Sequence, residues 1–269
     1  MGSESVTRAH EGQAAWYIDE KAVVKGVFVT ALVAEVLLVV LDLCLNYAQM
    51  ISSTTLQHIF NLAREQSLGT WFAVVQAALT GMVLLALSAS ARIGGDVYLS
   101  NRWGVLAVFF LYISADDAAK IHERVGGYVD KSLSDAPVTE AFSWLDKLQH
   151  SFPSYPWQWV FAPFFLAMGF YLLLFLWRRL PSVSTKWQLL AAFTCWGVAV
   201  GIDFLEGIEG LFEILAESFD VTTYTLSHPI LVLEEFLEMF GGTLFLCIFI
   251  RCLVRNFVLK QVVIGFVSK

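Results

Sequence analysis

Six stretches of mostly apolar residues recur along the chain, near 22–46, 69–91, 103–123, 156–177, 186–209 and 229–252. A helix rises about 1.5 Å per residue, so roughly 20 apolar residues cross the hydrocarbon core of a bilayer. Each stretch therefore predicts a transmembrane helix. The third is apolar only to Ile113 and is expected to continue as a polar helix; the fifth and sixth change in the same way at one end. The expected fold class is all-α, an integral membrane bundle of six helices.

Basic residues orient such a bundle, because Lys and Arg near span ends stay cytoplasmic. Arg8, Lys21, Lys25, Arg92, Arg102, Arg178, Arg179, Lys186, Arg251, Arg255, Lys260 and Lys269 collect on one side, which is 12 of the 17. Arg64, Lys120, Arg124, Lys131 and Lys147 fall on the other. Both termini are thus expected in the cytoplasm. Trp16, Trp103, Trp177 and Trp187 form an inner aromatic belt, and Trp71, Trp157 and Trp159 an outer one. The organisation reads as a cytoplasmic leader (1–21), one six-span domain (22–254) and a cytoplasmic tail (255–269). The longest outer loop, about 124–155, holds an amphipathic stretch at 138–148 expected to lie on the outer surface as a cap. No cleavable signal peptide is visible.

Composition narrows the class. Of 269 residues 57% are hydrophobic and 15% charged, against about 25% charged in soluble domains. Too few charges remain to coat a soluble enzyme. The formal charge of −7 argues against a nucleic-acid binder that works by neutralising phosphates. Cys44, Cys195, Cys247 and Cys252 lie in or at the ends of spans without a Cys-x-x-Cys pair, so they read as small core residues.

The acid is distributed unevenly. From Trp187 to Ile250 there is no Lys or Arg, yet Asp203, Glu206, Glu209, Glu213, Glu217, Asp220, Glu234, Glu235 and Glu238 all fall there. By helical rise, Asp116, Asp203, Glu235, Glu238 and Asp42 reach the outer third of the membrane on four different spans. On a continuous third helix Asp116, Lys120 and Glu123 share a face; Asp203 and Glu206 are an i, i+3 pair, as are Glu235 and Glu238, with Glu234 completing i, i+4. Gly197 and Gly201 lie opposite the fifth span's carboxylates, where close packing of a neighbour is expected. Gly241 and Gly242 are expected to leave room below those of the sixth, and His228-Pro229 to cap that helix.

Carboxylates crowded in a bilayer hold protons or cations. The expected site is a divalent-metal site formed by Asp116, Glu123, Asp203, Glu206, Glu235 and Glu238, with His122 and His228 as further ligands. Glu35, Asp42, Asp117, Lys120 and Glu234 are candidates for supporting contacts or a proton path. Oxygen donors suit iron, manganese, calcium or magnesium, and imidazole tilts the set toward a transition metal, zinc included. Local alternatives exist: Lys120 can bridge Asp116 and Glu123 within one helix, Arg124 can serve Asp117, and Glu209, Glu213, Glu217 and Asp220 read as solvated surface acids. No Gly-x-Ser-x-Gly, His-Glu-x-x-His or P-loop is present. The few histidines of the spans also count against intramembrane hydrolases of the ceramidase and adiponectin-receptor type, which build zinc sites from several.

Three stretches look familiar together: Phe60-Asn-Leu-Ala-Arg-Glu65-Gln-Ser-Leu-Gly-Thr-Trp-Phe72, Ser114-Ala-Asp-Asp117 leading to His122-Glu123, and Leu233-Glu-Glu-Phe-Leu-Glu-Met239. They resemble a widespread group of bacterial six-span membrane proteins with a Ser-x-Asp-Glu…His-Glu segment and a Glu-Glu-x-x-Glu-Met segment. Here Asp117 stands where Glu is usual, which shortens that arm. The group carries no established activity; the resemblance implies a bacterial inner membrane and supports the choice of residues. Three functions are expected to compete: a metal site facing outward, structural or catalytic; a proton- or cation-conducting protein with the acids as vestibule; and an accessory subunit of a larger membrane complex or homo-oligomer. The lipid bilayer is the partner common to all three.

Overall fold

A computed structural model describes residues 19–64, 66–134 and 152–260. The leader up to residue 18, the 138–148 stretch and the tail beyond 260 lie outside the described residues. Those described fold into nine α-helices: α1 (Glu20–Asp42), α2 (Thr54–Phe60), α3 (Leu68–Ile93), α4 (Val97–Ala119), α5 (Ile121–Ser134), α6 (Pro156–Arg179), α7 (Val183–Glu206), α8 (Leu211–Ser218) and α9 (Thr223–Lys260). A π-helical turn, Leu43–Tyr47, prolongs α1. Six helices are long and apolar enough to cross a membrane: α1 with its π turn, α3, α4, α6, α7 and α9. They correspond one to one with the six apolar stretches.

Short polar side chains start several helices. Asp19 accepts Lys21 N–H at 2.9 Å, Asp96 accepts Leu99 N–H at 2.9 Å and Ser67 accepts Thr70 N–H at 3.3 Å, each satisfying a donor that the first turn leaves free. The core runs through the middle of α9, where Gly241–Phe249 are all buried. Phe245 and Phe249 pack there with Phe110 and Trp103 of α4, and Trp103 meets Phe175 of α6 edge-on at 4.7 Å. Since α9 packs against α7, α3 and α1, it is the post on which the others hang.

Four sequence expectations are corrected. The third span does not continue through Glu123: Lys120 takes a left-handed conformation, φ 52°, and separates α4 from α5. His228-Pro229 does not cap the last helix, which starts at Thr223; Thr222 Oγ1 accepts Thr225 N–H at 3.2 Å instead. Among the described residues no neighbour packs on Gly197 or Gly201, which are exposed on α7. Nor is there room beside Gly241 and Gly242. Trp196 fills the first position and Gln76 the second.

Candidate functional site

The break at Lys120 makes Asp116 a joint. Its Oδ1 accepts the backbone N–H of His122 at 2.8 Å, starting α5, and its Oδ2 faces His122 Nδ1 at 2.6 Å. A carboxylate only accepts, so Nδ1 donates here and Nε2 is left as the free ring nitrogen. That nitrogen lies 4.0 Å from Glu123 Oε1. Trp157 of α6 holds the imidazole edge-on at 4.5 Å between ring centres. Burial is the largest influence on His122 and pushes its proton affinity down. The bond to Asp116, with the charges of Asp116, Glu123 and Asp117, outweighs burial, so the imidazole titrates above its usual range.

Two glycines bring the neighbouring elements close. A Cβ on Gly126 of α5 would stand 2.6 Å from Trp157 Cα, and one on Gly207, just after α7, 2.7 Å from Tyr155 N. Ser154 Oγ–H donates to Phe204 O at 2.7 Å, fastening the start of α6 to α7. On α7, Asp203 Oδ2 accepts Gln158 Nε2–H at 2.6 Å, while Glu206 interacts with Asp203 and Glu123. On α9, Glu235 interacts with Glu234, Asp117, Glu206 and Asp203, and Glu238 with Glu235, Asp117 and Asp203. Glu238 itself is exposed on α9. Tyr155 feels Glu206, Asp203, Glu234 and Glu123; burial first, then these charges, push its phenol up to about 12. Lys120, 3.5 Å from Glu123, and His122 are basic groups beside this set.

Pairwise electrostatic interactions link Asp117, His122, Glu123, Asp203, Glu206, Glu234, Glu235 and Glu238 in a chain, each with some of the others, whereas Asp116 is turned onto His122. Three other candidates, His228, Asp42 and Glu35, are elsewhere. His228 is buried inside α9 with Nε2 2.7 Å from Asp42 Oδ2, while Asp42 Oδ1 accepts Leu62 N–H at 3.0 Å and Asn46 Nδ2–H at 3.2 Å. Tyr224 stacks on the His228 ring and donates its hydroxyl to Asn46 O. Glu35 lies deeper, bonded to Thr243 of α9. Glu209, Glu213, Glu217 and Asp220 are exposed.

Among the described residues no group of three or more His, Cys, Asp or Glu side chains stands ready to hold a metal ion. Asp116 and Asp203 already spend carboxylate oxygens on His122 and Gln158. Sequence reasoning missed Gln158, Tyr155 and Trp157; their signal was only a run of polar and aromatic residues at the outer belt.

Residues 27–253 match the family profile described as a domain of unknown function, DUF8692. The match starts within α1 and ends within α9. No curated protein and no solved structure matches the chain.

Proposed function

The chain belongs to the DUF8692 family, and on that footing we propose that it is an integral membrane metalloprotein. A divalent cation binds between α5, α7 and α9. His122 Nε2, Glu123, Asp203, Glu206, Glu235 and Glu238 are its ligands, with Asp117 and Glu234 adding negative charge. Asp116 serves as the positioning residue that holds the imidazole, an arrangement recurrent around metal-bound histidines. The observation that carries this reading is the Asp116–His122 pair, which leaves one ring nitrogen free beside Glu123. One imidazole among carboxylates suits iron, manganese or zinc better than calcium. Formation of the site requires the carboxylates to turn inward around the ion, which supplies the positive charge the set lacks. By the distribution of basic residues it faces the extracytoplasmic side, in a bacterial inner membrane by the resemblance noted above. A metal with an open position would polarise a bound oxygen, as hydrolytic or redox chemistry requires.

Thermal unfolding of the detergent-purified protein with and without added Mn²⁺ or Zn²⁺ tests this. An ion that binds only the folded state at 100 times its Kd adds about 2.7 kcal/mol. The unfolding temperature should therefore rise for the native chain and for Glu213→Ala, and stay fixed for the Glu235→Ala, Glu238→Ala double variant. Equal shifts in all three would sink the assignment.

A further inference from the structure

Glu35 is a buried acid apart from the proposed ligands, and one of its oxygens has no partner among the described residues. It sits midway along α1, wholly shielded from solvent. Its Oε1 accepts the Thr243 hydroxyl at 2.5 Å and lies 3.4 Å from Gln76 Nε2 of α3. The Gln76 amide also reaches Thr243 Oγ1 at 2.6 Å; turned over, its nitrogen would donate to Met239 O at 3.0 Å. Oε2 is buried without a partner.

The surroundings select the ligand. From α3 come Gln76 and Thr80, which donates to Gln76 O at 2.9 Å; from α9 come Thr243 and Met239. The titratable neighbours are two thiols, Cys195 of α7 and Cys247 of α9. No basic side chain is among the groups that act on Glu35. An uncompensated carboxylate at this depth costs several kcal/mol, and either a proton or a cation removes that cost. A metal ion would need several oxygens around it at roughly 2.0–2.6 Å. Here Oε1, Thr243 and Gln76 already touch one another, so no cavity for an ion lies between them. The proton is what fits.

The position also relates Glu35 to the outer half of α9. Thr243 lies five residues beyond Glu238 on α9, about 7.5 Å along the axis. Gln76 lies directly against Gly242, one turn from Glu238, in space that any side chain at 242 would fill. A single polar amide thus stands between the turn bearing Glu238 and the buried acid. We propose that Glu35 is a proton-binding station in the membrane interior. This rests on Glu35 and its own neighbours and holds whether or not a metal binds above.

Dicyclohexylcarbodiimide is apolar and adds to protonated carboxyl groups, so it reads the proposal directly. The full-length protein in liposomes is treated over a pH series and the adducts are mapped by mass spectrometry. An adduct at Glu35 that declines as pH rises, and is absent in Glu35→Gln, is the expected result. Thr243→Val keeps the acid but removes the hydroxyl that favours its carboxylate, so labelling should persist to higher pH. No adduct at Glu35 at any pH, or one equally abundant at every pH, would overturn the proposal. So would a Thr243→Val profile shifted to lower pH.

Discussion

Asp116 does two jobs with two oxygens. One starts α5 by taking the His122 N–H, and the other fixes the imidazole through Nδ1. Asn at this position keeps the size but has only one accepting oxygen, so it satisfies one of the two bonds. Asp116→Asn should weaken Mn²⁺ or Zn²⁺ binding by about 10–100-fold, as losses of such positioning partners do; equilibrium dialysis against the native chain measures it. The same pair sets a pH dependence. His122 binds its proton more tightly folded than unfolded. The stability it contributes is therefore complete below about pH 6.5, the ordinary imidazole value, and is lost as pH rises through the elevated folded value. The metal-free protein should lose thermal stability across that window, and His122→Gln should flatten the change. Metal affinity should move the opposite way, rising with pH as the proton leaves the ligand. Asp116, His122 and Glu123 were legible as neighbours in sequence; their geometry was not. Lys120 adopts a left-handed turn with none of the Gly or Asn that usually announces one, so the residues read as one face of a continuous helix.

At the level of elements, adjacent glycines on α5 differ sharply. Gly126 lies against the Trp157 backbone, whereas Gly127 is exposed with nothing within 4 Å among the described residues. Gly126→Ala should cost about 1–3 kcal/mol through overpacking and weaken metal binding, because it pushes α5 from α6 and carries His122 and Glu123 with it. Gly127→Ala should be neutral or slightly stabilising, since Ala is the better helix former. Denaturation of both variants in detergent decides the matter; equal behaviour would mean that α5 does not depend on this contact. The apolar runs located the spans because each helix must present some 20 apolar residues to lipid, whatever its neighbours. They located helix ends less well. The first turn of α9 is polar, so His228 looked like a cap when it is an interior residue paired with Asp42. Gly197 and Gly201 carry the spacing of a packing motif, but spacing does not say which side of a helix has a neighbour. In α7 that face is bare.

For the whole molecule, charge separates by side. Basic residues cluster at one set of span ends, while acids without Lys or Arg of their own fill the stretch from Trp187 to Ile250. The proposed topology follows from this. Cysteines introduced at Ser52 and Ser184, both exposed, in a chain whose native cysteines are replaced by serine, should respond differently to an impermeant maleimide on intact cells. The first should be labelled from outside and the second protected; the reverse pattern would place the metal site on the cytoplasmic face. The sequence showed that the acids need a counter-charge, because no Lys or Arg accompanies them. It did not show which of them would meet, since that depends on how α5, α7 and α9 dock. The most direct test of the central claim is elemental analysis of the full-length protein purified in detergent without added metal. Iron, manganese or zinc is expected at close to one ion per chain, largely lost in Glu238→Ala and retained in Glu213→Ala. Metal at background in the native protein, or unchanged in Glu238→Ala, would contradict it.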